Sequence, residues 1–197
     1  MKLSNNRLIT VTRGLYLYLA VLLLLLPLDW LIALSISAAV HELFHLVAIR
    51  ILGLRVYSIK IGPFGARIYT EPMEPAKELV CALAGPLGGF ILLLVAKWIP
   101  MTALCAVFQS LYNLLPVYPS DGGRAMHCLI HLLAPPRWAT SICTIADRMI
   151  LALLAMILIC FTIQFRIGLL PMLVVAVPVL GRLCGKIPCK DALDKVQ

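Results

Sequence analysis

The chain has 197 residues, of which 62% are hydrophobic and only 13% are charged, whereas soluble domains contain about 45–50% apolar residues. This composition excludes an ordinary soluble protein, and at about 20 residues per spanning helix the length allows about five or six spans and no separate soluble domain. The net charge of +8 would suggest nucleic acid in a soluble protein, but here we interpret it as a topology signal and expect no nucleic-acid partner.

Two spanning helices are predicted near the N-terminus. The first runs from about Gly14 to Leu28. It follows a short basic segment but lacks a small-residue cleavage site, so we interpret it as a span and not as a signal peptide. The second runs from about Trp30 to Leu52 and ends at Gly53, a residue typical of helix ends.

The second half of that helix carries the motif H-E-x-x-H. His41 and His45 are one turn apart on one helix face, a spacing at which two imidazoles can bind one zinc ion. Glu42 lies beside the first ligand, where a carboxylate can take a proton from metal-bound water. Ionisable groups within a span are costly and are functional candidates by default. The alternative is that all three are interior groups hydrogen-bonded to neighbouring helices.

A short β-hairpin is predicted between the second and third spans. Residues alternate in character from Val56 to Thr70, and Gly62-Pro63 interrupts the run, which is typical of two strands joined by a turn. The segment is too short to cross a bilayer. It could lie at the membrane surface or dip in beside the site.

The rest of the chain is predicted to hold four more spans and one short amphipathic helix. Glycines at 85, 88 and 89 in the third span indicate close helix packing, and Asp121-Gly122-Gly123 is interpreted as a tight turn. The elements are spans at about Lys77–Trp98, Thr102–Leu115, Arg148–Phe165 and Ile167–Leu183, and the amphipathic helix at about Arg124–Leu133.

The basic residues predict the orientation of the helices. With the N-terminus in the cytoplasm and six alternating spans, only Lys97 and Arg166 of the 17 Lys and Arg residues lie outside, a strong positive-inside bias. Both termini are then cytoplasmic, and the H-E-x-x-H motif shares the cytoplasmic half with Asp121. We expect a multi-pass integral membrane protein.

A catalytic zinc site needs a third protein ligand and an open position. Asp121 is a candidate because it follows an apolar helix on the same side of the membrane. An Asp-Gly turn residue is an equally good interpretation of it, since turns are rich in this pair. His127 and His131 form a second i, i+4 pair but lack the intervening glutamate, so a surface or packing role is favoured for them.

Two motifs together resemble the site-2 protease family of intramembrane zinc metalloproteases. H-E-L-F-H at 41–45 matches the first motif of the family, and N-L-L-P-V-Y-P-S-D-G at 113–122 matches its second, N-x-x-P-x-x-x-x-D-G. The segment Ala84-Gly-Pro-Leu-Gly-Gly89 resembles its glycine-rich element. The resemblance covers about residues 38–124. The domain-poor architecture is most similar to the stage IV sporulation protease type, although that type carries a C-terminal CBS domain and this chain has about a dozen residues after its last predicted span.

The resemblance implies an all-α membrane fold and one zinc ion per chain. His41, His45 and Asp121 would be the zinc ligands, Glu42 the general base, and Asn113 a residue that holds the substrate backbone or polarises the scissile carbonyl. We expect one integral-membrane domain over 1–197, with a catalytic core at about 30–124 and the last two helices at about 148–183.

The expected function is hydrolysis of a peptide bond in or near a transmembrane segment, as regulated intramembrane proteolysis of a transcription-factor precursor or regulator. The partners would be a membrane-protein substrate, the lipid bilayer and a regulatory membrane partner. The hairpin could pair with an unwound substrate as an added strand. A catalytically silent scaffold or chaperone of the same fold is the alternative, and a transporter is a third interpretation. The presence of all five site residues disfavours the scaffold, and the scarcity of other intramembrane charge disfavours the transporter.

Overall fold

A computed structural model describes residues 9–62, 65–118 and 120–165. This part of the chain is mostly helical, with one small sheet. Its elements are β1 (Ile9–Val11), α1 (Arg13–Leu25), α2 (Leu28–Ile51), β2 (Val56–Gly62), β3 (Gly65–Thr70), α3 (Pro75–Ile91, extended by a 3-10 turn at Leu92–Val95), α4 (Pro100–Asn113), α5 (Asp121–Leu133) and α6 (Pro136–Phe165).

The described residues belong to two compact units. One contains the described part of Met1–Met73 together with Val80–Asn113, and the other contains Glu74–Leu79 with the described part of Leu114–Gln197. The H-E-x-x-H motif therefore belongs to the first unit and α5 to the second.

Two helical segments in the described part of the chain are long and apolar enough to cross a membrane. They are α2 and the continuous helical stretch Pro75–Val95, and α1 is a shorter apolar helix of 13 residues. These segments correspond to the second, third and first predicted spans. The sixth predicted span, Ile167–Leu183, lies outside the described residues.

The predicted hairpin is confirmed, and a third strand joins it. Strands β2 and β3 pair antiparallel, with Gly62 opposite Gly65 at the turn. Strand β1 lies in the short basic segment before the first helix and pairs parallel to β2, with Ile9 opposite Ile59. The strand order β1-β2-β3 makes β3 an edge strand of the described sheet.

Small and polar residues bring the helices of the first unit into close contact. Helix α2 packs on α4, where the buried Ser37 hydroxyl donates a hydrogen bond to Oε1 of Gln109 at 2.6 Å. In α3, a side chain at Gly88 would collide with Phe44 of α2, and one at Gly89 would collide with Ser110 of α4. The glycine-rich segment therefore does pack closely against its neighbours, as its composition predicts.

The second unit differs from the prediction at the start of each of its two described helices. Asp121-Gly122-Gly123, expected to form a tight turn, is the first turn of α5, because the Ser120 hydroxyl caps that helix by accepting the Gly123 N–H at 3.3 Å. Helix α6 begins at Pro136, within the segment Ala134–Arg137 that its two prolines predict to be a linker. Proline suits the first helical position, where its missing N–H removes no hydrogen bond.

Candidate metal centre

The two histidines of the motif face each other on α2. Both are buried, and their Nε2 atoms are 3.2 Å apart. The Nδ1 atom of His45 lies 2.7 Å from the backbone oxygen of Cys81, and because a carbonyl only accepts, Nδ1 is the donor. This hydrogen bond fixes the ring orientation of His45 and leaves its Nε2 with a lone pair in the neutral tautomer, as is usual for metal-binding histidines.

The spacing of the two Nε2 atoms fits a metal ion. Two facing ring nitrogens either share a proton or point at a common cation. Nitrogens that bind one tetrahedral zinc at 2.0–2.1 Å lie about 3.3 Å from each other. The observed 3.2 Å is close to that value, so the imidazoles need little rearrangement to bind an ion.

A glycine of α3 leaves room beside the imidazoles. A Cβ atom at Gly85 would overlap the His45 ring and come within 2.8 Å of Cε1 of His41. Any larger residue at position 85 would therefore push the rings out of place. The sequence predicts only close helix packing for Gly85. Its place in the glycine-rich segment is the feature of the sequence that could have indicated a role beside the histidines.

A third residue offers a potential ligand. Asp121, the first residue of α5 in the second unit, carries a carboxylate whose oxygen can bind a metal ion. Two histidine nitrogens and a carboxylate are a donor set typical of catalytic zinc with one open position, so the residues present fit the ion.

Glu42 is held by the β-hairpin. Its Oε1 accepts the backbone N–H of Ala66, the second residue of β3, at 2.9 Å. A Cβ atom at Gly65 would come within 3.1 Å of the same oxygen, and Gly65 has φ +108°, a conformation that favours glycine. The hairpin therefore orients this carboxylate through its backbone, which the sequence did not reveal.

Asn113 is the last residue of α4 and lies beside the first histidine. Its Nδ2 is 3.2 Å from Nε2 of His41. The structure thus brings Asn113 next to one of the three potential ligands.

The second histidine pair of the sequence, His127 and His131, has a different environment. His127 stacks on Tyr118 and pairs with Asp147 at 3.0 Å, which is a packing role.

The chain is similar to proteases among known proteins, although no protein-family model matches it. A zinc metalloprotease from Methanocaldococcus jannaschii is 27% identical over 113 residues, covering 50% of this chain and 33% of that relative. The match thus spans about a third of the relative's length. The solved structure of a site-2 protease from M. jannaschii superposes with a TM-score of 0.62 at 22% identity, covering 87% of this chain and 85% of that one. The chain therefore shares the fold of a site-2 protease.

Proposed function

We propose that this chain is an intramembrane zinc metalloendopeptidase of the site-2 protease family, which hydrolyses a peptide bond in or near a transmembrane segment of a membrane protein. The observation that carries the proposal is the pair of buried imidazoles of His41 and His45, whose Nε2 atoms are 3.2 Å apart. The similarity to a zinc metalloprotease and the site-2 protease fold support it, as does the position of the histidines on a helix of spanning length.

His41, His45 and Asp121 would hold the ion. When bound, zinc supplies Lewis acidity, which makes water more acidic and polarises a carbonyl group. Glu42 takes a proton from the attacking water and later delivers a proton to the amine nitrogen as the C–N bond breaks. The backbone N–H of Ala66 donates to Oε1 of Glu42, so the other oxygen, Oε2, would take this proton.

Asn113 would stabilise the substrate carbonyl group by donating a hydrogen bond to it. An amide N–H₂ group is a donor suited to the negative charge that develops on the carbonyl oxygen during hydrolysis. In the structure that group lies 3.2 Å from Nε2 of His41. If this nitrogen binds the ion, the amide loses its acceptor, and it is then available to the substrate.

The substrate would approach along β3. Ala66 donates its backbone N–H to Glu42, and β3 is an edge strand of the described sheet. An unwound substrate segment that adds to this edge would run past the carboxylate of Glu42. A membrane helix must open its own hydrogen bonds before attack, and an edge strand offers replacement partners.

The test is substrate trapping in membranes with Glu42→Gln, followed by cleavage of the captured protein. We expect Glu42→Gln to keep one zinc per chain and to lower the cleavage rate by about 10²–10⁴-fold, the usual contribution of a general base. Cleavage at the wild-type rate by Glu42→Gln would show that another group is the base. Wild-type protein that captures the same partner without cleaving it would favour the scaffold alternative.

A further inference from the structure

The guanidinium of Arg124 lies between two carboxylates near the start of α5. Its Nη1 is 3.8 Å from Oδ1 of Asp121, three residues earlier on the same helix. Its Nη2 is 3.3 Å from Oε1 of Glu78, in the first turn of α3. A guanidinium carries five N–H donors on a rigid planar fork and no acceptor, so one group can hydrogen-bond to Glu78 and form an ion pair with Asp121.

The exposed fractions of the three side chains show that Asp121 is the one that depends on the others to compensate its charge. The side chain of Asp121 is only 12% exposed, whereas those of Arg124 and Glu78 are 33% and 37% exposed. A buried carboxylate keeps its charge only with compensating partners. Arg124 supplies one such partner, and the more exposed Glu78 holds the guanidinium from the other side.

The helix itself does little to orient the carboxylate of Asp121. Asp121 is the first residue of α5, directly after the capping residue Ser120. The next two residues, Gly122 and Gly123, carry no side chains that could pack against it. Its rotamer is therefore set by contacts with other groups, and Arg124 lies on the same helix face one turn later.

We propose that Arg124 is a positioning residue for the metal ligand Asp121 and that Glu78 holds the Arg124 guanidinium in place. This inference rests on the proposed function, in which Asp121 binds zinc. Arg124 faces Oδ1 of the Asp121 carboxylate at 3.8 Å. Groups that orient metal ligands typically change metal affinity by 10–100-fold when they are removed, and we expect this range for Arg124.

The experiment measures the zinc dissociation constant of the full chain in detergent by competition with a chromophoric chelator. Arg124→Gln should raise the zinc Kd by about 10–100-fold. Arg124→Lys should raise it less, because lysine keeps the charge but loses the planar fork, and Glu78→Gln should raise it by a few-fold. The matched control is Arg137→Gln, which removes the same charge from an exposed residue in the first turn of α6 and should leave the Kd unchanged.

A purely structural role would lower the melting temperature of the Arg124 variants and leave their zinc Kd equal to that of Arg137→Gln. That result overturns the inference. If Arg124→Gln does not fold, unchanged Kd values for both Arg124→Lys and Glu78→Gln overturn it equally. Failure of the proposed function looks different, because wild-type protein would then show no stoichiometric zinc binding.

Discussion

At the scale of single residues, the proposed general base is positioned by the backbone. Glu42 accepts its hydrogen bond from Ala66, and the preceding residue, Gly65, leaves just enough room for the carboxylate. The left-handed φ of Gly65 aims the Ala66 N–H at Glu42. A side chain at position 65 would disturb both the backbone conformation and the carboxylate.

We therefore expect Gly65→Ala to lower cleavage at least tenfold while the zinc content stays the same. A non-glycine residue at such a φ costs about 1–3 kcal/mol, and the added Cβ would lie 3.1 Å from Oε1 of Glu42. Gly53→Ala is the matched control, because Gly53 also has a positive φ of 72° but has nothing within 4 Å of an added Cβ. Comparable loss of cleavage in the two variants would mean that backbone strain alone explains the effect.

Some of these residue roles could be predicted from the sequence and others could not. His41, Glu42 and His45 form a local helical pattern whose chemistry follows from its spacing. Asp121 could not be distinguished from a turn residue by its neighbours in the sequence, because a ligand role depends on tertiary structure. The hydrogen bond from His45 to the Cys81 carbonyl could not be predicted either. Every residue type carries this backbone group, so no feature of the sequence indicates the contact.

At the scale of elements, the start of α5 shows why helix propensity predicted the wrong first residue for this helix. Glycines weaken helices by about 1 kcal/mol each, so Asp121-Gly122-Gly123 was expected to form a turn. In the structure, a Cβ at Gly122 would collide with the Leu114 carbonyl, and one at Gly123 would collide with the backbone of Tyr118. The glycines are thus compatible with the helix because they let the preceding loop pack against its first turn.

The packing of α5 on α6 gives a prediction about stability. His127 pairs with Asp147 at 3.0 Å and stacks on Tyr118, with both side chains largely buried. His127→Asn should lower the unfolding free energy by about 1–3 kcal/mol, because it leaves a buried carboxylate poorly paired. Thermal unfolding in detergent measures this.

The control is His131→Asn, one turn further along α5, because His131 makes no such pair among the described residues. We expect this change to stay within about 0.5 kcal/mol of wild type. Equal destabilisation by the two substitutions would contradict the structural role of the His127–Asp147 pair.

At the scale of the whole molecule, composition predicts the class of the protein better than the number of its spans. An apolar share of 62% indicates a membrane protein, and α2 and Pro75–Val95 have spanning length. Helix α4 has 14 residues, fewer than the about 20 that cross a bilayer. Hydrophobicity alone does not predict where such a helix ends.

Strand β1 was not predicted, because its parallel partner β2 lies far along the chain.

The orientation of the helices and the cytoplasmic position of both termini remain predictions from the distribution of Lys and Arg. The same is true of the sporulation role and of the regulatory partner. The proposed function, by contrast, presupposes that His41, His45 and Asp121 together hold a metal ion.

The most direct test of that claim is the zinc content of the chain purified from membranes, measured by mass spectrometry of the metal. We predict one zinc per chain for wild type and for His131→Asn, and less than about a tenth of that for His45→Ala and Asp121→Ala, since each removes one of three ligands. Full zinc content in Asp121→Ala would contradict the account, because the carboxylate would then have no part in binding the ion.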